Sequence, residues 1–219
     1  MGYRMDWSVV PQSMGILWEG VILTLRISAI SLAFSIVIGV MVGLLRVSKS
    51  RPLSFLATCY VEFVRGVPLL VLLIWIYFGL GRFFRLGAYW AAIAGLAIFS
   101  GAFVAEVVRA GIQAVPKGQM EAARSSGMTY FQAMKLIILP QAFRKVLPPM
   151  ASQFIILIKD SSLVSTISAA DLTLNAKNIV AYNFRSFEIW TAVAFLYFAM
   201  TFTLSQIIRY FERKYQVVE

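Results

Sequence analysis

The sequence predicts an all-α membrane protein of five transmembrane helices, N-terminus outside and C-terminus cytoplasmic. Of 219 residues, 60% are hydrophobic and 14% charged, and the mean hydropathy is +0.79. The apolar runs reach the ~20 residues that a helix needs to cross a bilayer, and basic residues gather in the segments between them. One soluble globule could not bury so many full-length runs. The inventory also narrows the chemistry. There is no histidine and one cysteine, Cys59, so an intramolecular disulfide, a Cys/His metal cluster and imidazole acid-base catalysis are excluded. The excess of 20 basic over 10 acidic residues would suggest nucleic acid in a soluble protein. Placed in loops between spans, it points instead to lipid headgroups and cytoplasmic protein, and no nucleic-acid partner is expected.

Met1 to Gln12 is polar and mixed, so no cleavable signal is evident and the first span, Trp18 to Leu45, is expected to stay in the membrane. It ends at Arg46, Lys49, Arg51 and Pro52. The second span, Leu53 to Leu80, carries Glu62, Arg65, Gly66 and Pro68 within its length. Pro68 has no N–H to donate and clashes one turn back, so a loosened helix is expected beside Glu62. Ala88 to Val108 reads as the third span, closed by Arg109 and Pro116. A polar island, Lys117 to Pro140, precedes a fourth span, Val146 to Ile158, which is full length if Pro148 lies in its first turn and the helix continues past Asp160. Leu163 to Arg185 lacks a clear period and reads as an external loop with room for a short helix. The last span, Phe187 to Ile208, ends in Arg209, Arg213 and Lys214.

Five spans separate the termini. With the N-terminus outside, the cytoplasmic side collects twelve basic residues (Arg46, Lys49, Arg51, Arg109, Lys117, Arg124, Lys135, Arg144, Lys145, Arg209, Arg213, Lys214) against five outside (Arg4, Arg82, Arg85, Lys177, Arg185). The island is therefore expected in the cytoplasm. Within it, Gly118 to Ser126 is a good helix former, Gly127 is placed to end it in a left-handed conformation, and Thr129 can cap a second helix running from Tyr130 until Pro140 interrupts its ladder.

Glu121, Ala122 and Ala123, then Gly127 six residues after Glu121, then Ile137, Leu139 and Pro140, resemble the signature loop of the permease subunits of ABC importers. Phe63 to Leu70 (FVRGVPLL), Ala105 to Gly111 (AEVVRAG), Lys117 to Ala123 (KGQMEAA) and Lys159 to Leu163 (KDSSL) resemble its polar amino-acid branch, which includes the histidine, glutamine and arginine transporters of bacteria. The resemblance covers roughly residues 15 to 215. It implies a MetI-like, type I importer fold in a single permease domain over 1–219, set in the bacterial cytoplasmic (inner) membrane. Residues 117–140 would be the coupling loop, with Gln119, Glu121, Ala122, Ala123, Arg124 and Gly127 meeting an ATP-hydrolysing subunit. The implied partners are that ATPase, a second permease (the same chain or a similar one), an external or periplasmic amino-acid-binding protein and the lipid bilayer. ATP and Mg would bind the ATPase, since no G-x-x-x-x-G-K-[ST] phosphate loop occurs here. The chain is expected to be a transport subunit without enzyme chemistry, cofactor or metal of its own.

Charged side chains inside a bilayer face a partner or a wet cavity. Glu62 and Arg65, three apart, can form a local pair; beside a helix broken at Gly66 and Pro68, Glu62 can instead meet substrate. Asp160, Ser161 and Ser162, with Gln153 seven residues before Asp160 on the same face, form a polar stripe. That stripe is either a helix end at interfacial water or a second carboxylate aimed at the substrate's ammonium or guanidinium group. Glu62, Arg65, Gln153, Asp160, Ser161 and Ser162 are thus the candidate substrate-binding set, with a lean toward a cationic amino acid. Glu106 and Arg109 read as a structural pair. The alternative function is an ion-gradient-driven carrier or channel using Glu62 and Asp160 as ion sites, which leaves the island unexplained.

Overall fold

The computed structural model describes residues 4–215, with side chains through Tyr210. The side chains of Arg213 and Lys214, counted above toward the cytoplasmic charge, and the extreme ends of the 1–219 domain lie outside the described residues. In chain order the helices are α1 (Val9–Arg46), α2 (Arg51–Gly66), α3 (Leu69–Ile74), α4 (Gly81–Phe84), α5 (Ala88–Gln113), α6 (Lys117–Ser125), α7 (Tyr130–Ala133), α8 (Leu139–Asp160), α9 (Leu172–Asn183) and α10 (Ser186–Tyr215). π-helical turns at Trp75–Leu80 and Met134–Ile138 join α3 to α4 and α7 to α8, and a 3₁₀ segment, Ser161–Ile167, extends α8.

A stripe of small residues at three- to four-residue spacing, Thr24, Ser28, Ser31, Ser35, Gly39 and Gly43, forms the buried face of α1. Small side chains let helix backbones approach closely, and α5 fills the space. Ser31 Oγ donates to Ile93 O at 3.4 Å. A Cβ added to Gly39 would sit 2.9 Å from Gly101 O, and one on Gly43 2.9 Å from Ala105 O. Residue 31 faces 93, 39 faces 101 and 43 faces 105, so α1 and α5 run parallel. Two parallel neighbours can be joined only by a chain that travels back between them, and α2 to α4 make that return. They do so as a bent unit. The axes of Arg51–Gly66 and Leu69–Phe84 meet at 107°. The expected span Leu53 to Leu80 is therefore two limbs rather than one rod, because Pro68 cannot continue the ladder and Val67 takes an extended conformation (φ −100°, ψ 132°).

Among the described residues, three helices are long and apolar enough to cross a membrane (α1, α5 and α10 as far as it is described), and the bent pair makes a fourth candidate. At 22 residues α8 is long enough to cross, but it carries Arg144, Lys145, Lys159 and Asp160, and its apolar content is lower. The first helix starts at Val9, well before the expected Trp18. Its early turns are held against the far end of the chain: the Trp7 and Phe187 rings meet edge to face at 6.1 Å, and Asp6 N donates to the buried Glu188 Oε1 at 2.7 Å.

Two expectations about the second half are corrected. Pro140 does not end the helix that starts at Tyr130. The π turn at Met134–Ile138 shifts the hydrogen-bond pairing ahead of it, leaving Pro140 in the first turn of α8, where its missing N–H leaves no broken bond. Leu163 to Arg185 does hold a short helix, α9, but what precedes it is a packed 3₁₀ segment rather than a loop. Val164, Ile167, Leu172, Ala176 and Ile179 are buried, and α9 packs on the N-terminal half of α1, with Asn175 Nδ2 donating to Ile16 O at 2.9 Å and Leu172 N to Thr24 Oγ1 at 3.2 Å. At the other end of α1, Lys49 meets Tyr130 of the island. Thus α9 and the island occupy opposite ends of the bundle.

Asp171 anchors α9. Fully buried, its Oδ1 caps Leu174 N at 2.9 Å and its Oδ2 accepts from Tyr197 Oη at 3.3 Å. Burial pushes its carboxyl up to about 6, against the lowering effect of these hydrogen bonds. Because the folded value lies above the unfolded value of 3.8, folding favours the protonated form: the contribution to stability is complete below 3.8 and is lost as pH rises through about 6. Asp171→Asn keeps a neutral capping acceptor. It is expected to stabilise the protein at pH 8 by roughly 2 kcal/mol and to change little at pH 4, as read by thermal unfolding in detergent at the two pH values. Equal shifts at both would refute the linkage.

Candidate functional site: the α6–α7 corner and its neighbours

Pro116 precedes α6, where a proline lacks only a hydrogen bond the helix start does not make, and Gln119 N donates to Pro116 O at 3.0 Å. The helix closes on Gly127, whose φ of +84° lies in the left-handed region. Gly127 N bonds Arg124 O at 3.1 Å and Met128 N bonds Ala123 O at 3.2 Å, satisfying the last carbonyls. A side chain at 127 would cost about 1 kcal/mol. Thr129 then caps α7 reciprocally: Gln132 N donates to Thr129 Oγ1 at 3.2 Å and Thr129 N to Gln132 Oε1 at 2.8 Å. The island is thus a corner with both helix ends locked.

The six residues read as coupling positions divide by direction. Ala123 is buried against the bundle, and Gln119 Oε1 accepts from Gln141 Nε2 of α8 at 3.2 Å. Glu121, Ala122, Arg124 and Gly127 are exposed. Arg124 does not pair with Glu121, since its Nη1 donates to Met128 O at 2.8 Å and braces the corner. Among the described residues Glu121 makes no ion pair, and its side chain is exposed on α6. The corner is tied to the bundle by Lys145 Nζ, which donates to Ala114 O just past the end of α5 at 3.0 Å, and by Lys49 Nζ, 4.5 Å from the centroid of the Tyr130 ring.

The candidate substrate residues are not gathered. Glu62 and Arg65 do not pair with each other. Glu62 lies 3.8 Å from Arg46 Nη2, and Arg65 Nη1 lies 3.8 Å from Glu106 Oε2, its guanidinium over the Phe103 ring at 5.5 Å. Glu106 also pairs with Arg46 and Arg109, and Arg109 Nη1 donates to Gln113 Oε1 at 2.7 Å. The expected Glu106–Arg109 pair is made, as part of a five-residue ionic knot across α1, α2 and α5. Arg46 is the member the sequence did not single out; it reads as a loop charge, and only the parallel packing of α1 on α5 carries it to Glu106.

Asp160 and Gln153 are half-buried at the far end of α8. Ser161 is fully buried and donates to Ile158 O at 2.8 Å, while Ser162 donates to Lys159 O at 2.8 Å. Among the described residues no hydrogen bond or ion pair joins Asp160 to Glu62 or Arg65. Asp171 is the other residue missed. Its signal, an aspartate opening an apolar-periodic run, is a helix N-cap pattern.

Comparison with known proteins agrees with this architecture. Residues 35–217 match the family model described as binding-protein-dependent transport system inner membrane component. The chain is 42% identical over 211 residues to a probable glutamine ABC transporter permease protein of Bacillus subtilis (strain 168), covering 96% of this chain and 98% of that one. It is 33% identical over 213 residues to an arginine transport system permease protein of the same organism, covering 96% and 97%. A solved structure described as an amino acid ABC transporter with histidines superposes with a TM-score of 0.91 at 40% identity, covering 97% of this chain and 100% of that one. The chain belongs to the inner membrane components of binding-protein-dependent transport systems, as a permease subunit of an amino-acid ABC importer rather than an enzyme.

Proposed function

We propose that this permease crosses the inner membrane five times, N-terminus outside, and imports polar amino acids by alternating access driven by ATP hydrolysis on a partner subunit docked at α6. The observation that carries this reading is the α6–α7 corner: a short helix locked at both ends, presenting an unpaired Glu121 at the end of the bundle opposite α9. The parallel course of α1 and α5 supports counting the bent α2–α4 unit as one crossing, and α8 supplies the remaining crossing in a polar, protein-lined environment. The excess of basic residues at the island end supports placing it in the cytoplasm. ATP and Mg would be held by the ATPase, an external binding protein would deliver substrate, and a second permease would complete the pathway.

The test uses the complex reconstituted in proteoliposomes. Glu121→Lys or Gly127→Asp is expected to leave the permease in the membrane while ATP-driven uptake falls at least about tenfold. Wild-type uptake by either variant would overturn docking at α6.

For substrate, the reading leans to a cationic amino acid, resting on Asp160 and Glu62. Glu62 lies beside Arg46 yet keeps 65% of its side chain exposed, so it retains acceptor capacity for an ammonium or guanidinium group. Relatives named for glutamine and arginine transport are both similar to this chain, so the carboxylates are the basis of the choice. The Glu62→Gln, Asp160→Asn double variant is expected to lose arginine and lysine uptake while glutamine uptake, if present, persists. Undiminished arginine uptake would remove the cationic reading.

A further inference from the structure

The docking corner has a second mechanical exit besides its covalent continuation into α8. Lys49, in the turn between α1 and α2, places its ammonium 4.5 Å from the centroid of the Tyr130 ring, on the first residue of α7. A cation beside a helix N-terminus is electrostatically unfavourable, so the attraction of the ring face accounts for the placement. The backbone on each side of the contact is held. The turn carrying Lys49 is closed by Ser48 N on Leu45 O at 3.2 Å, Ser50 N on Ser48 Oγ at 3.2 Å and Ser54 Oγ on Arg46 O at 3.0 Å. Tyr130 is held by the Thr129–Gln132 capping box, directly after the Gly127 corner. Behind the turn stands Arg46, tied to Glu106 of α5 and lying 3.8 Å from Glu62 of α2. A contact chain therefore runs from α6 and α7 through Tyr130 and Lys49 to the α1–α2 turn and α2, the limb set at 107° to Leu69–Phe84.

We infer that the Lys49–Tyr130 contact is a positioning element of the transport cycle, transmitting movement of the docked α6–α7 corner to α1 and the broken α2–α3 pair. The inference rests on the reading of α6 as the ATPase dock. It goes beyond that reading by naming a route that bypasses α8, and it makes the ring face rather than the phenol hydroxyl the working group.

The experiment measures amino acid transported per ATP hydrolysed by the full complex in proteoliposomes, with radiolabelled glutamine and arginine as probes. Tyr130→Leu and Lys49→Met are expected to purify with the ATPase in wild-type amounts and to hydrolyse ATP, with transport per ATP lowered by about two- to fivefold. Tyr130→Phe and Lys49→Arg keep ring and cation and are expected to hold the wild-type ratio. An unchanged ratio in the Leu and Met variants overturns the inference. So does an equal loss in the Phe and Arg variants, or loss of the ATPase from the complex, which would make Tyr130 part of the dock itself. Lys49→Met lies in an exposed turn and reports even if Tyr130→Leu fails to fold. Glu121→Lys in the same preparation tests docking separately: its failure to impair uptake would reject the dock, while a normal ratio in Tyr130→Leu beside an uncoupled Glu121→Lys would reject this route alone.

Discussion

Replacing Gly39 by leucine is expected to remove most of the folded permease from the membrane. At Gly39 the backbones of α1 and α5 are so close that a Cβ would lie 2.9 Å from Gly101 O and nearer still to the Val104 side chain. Those atoms belong to a helix backbone and to a fully buried valine, so no flexible side-chain end can swing away. Overpacking a well-filled interior costs about 1–3 kcal/mol where neighbours can adjust, and here adjustment means parting two helices along their whole parallel contact. The measurement is the fraction recovered as a monodisperse complex in detergent and its thermal midpoint. Gly15→Leu is the control, since nothing lies within 4 Å of its added Cβ; it is expected to be neutral or to gain about 0.5–1 kcal/mol from removing a helix-interior glycine. Similar losses in both variants would show that α1 tolerates no leucine anywhere, and the close-approach argument would fail.

Glu106→Gln should be the most damaging of the charge substitutions. Its carboxylate collects Arg46 and Arg109, with Arg65 at 3.8 Å, and only 26% of the side chain is exposed. Arg46, at 10% side-chain exposure, is buried more deeply. An amide in place of the carboxylate leaves arginines from three helices facing one another with Glu62, 3.8 Å from Arg46, as the remaining anion. Removing one partner of a buried ion pair costs roughly 3–5 kcal/mol; with this degree of solvent access about 2 kcal/mol is expected. The deficit should be larger at low ionic strength, where repulsion is less screened, and should shrink when Arg46→Gln is added. A thermal midpoint equal to wild type at low salt would show that the knot contributes nothing to stability.

The two halves of the candidate site were unequally visible in the chain. The corner was readable because its determinants are local: Gly127 takes positive φ, Thr129 finds Gln132 three residues on, and the helix between Pro116 and Gly127 needs no distant partner. The ionic groups were not. Glu62 and Arg65 have the spacing of a helical pair, yet each bonds outside its own helix, because Arg46 and Glu106 arrive there from 16 and 41 residues away in sequence (62 − 46 and 106 − 65). A period-based reading also left Leu163 to Arg185 as a loop with a short helix, because its buried positions lie on a 3₁₀ segment and a short helix rather than on one long amphipathic face.

Composition, span length and the distribution of basic residues were enough to identify a helical membrane protein, and separated motifs in order were enough to reach its family, since these properties are additive along a chain. Only the folded molecule decided that α2 and α3 meet at 107°, that the helix after Gly127 runs through Pro140, that Asp171 is buried beneath α10, and that Lys49 lies on Tyr130. The first two turn on how the backbone accommodates Pro68 and Pro140, and the last two on which surfaces meet after the helices pack. The packing of α1 on α5 is set by a stripe of small residues on α1 whose partner helix begins more than forty residues later.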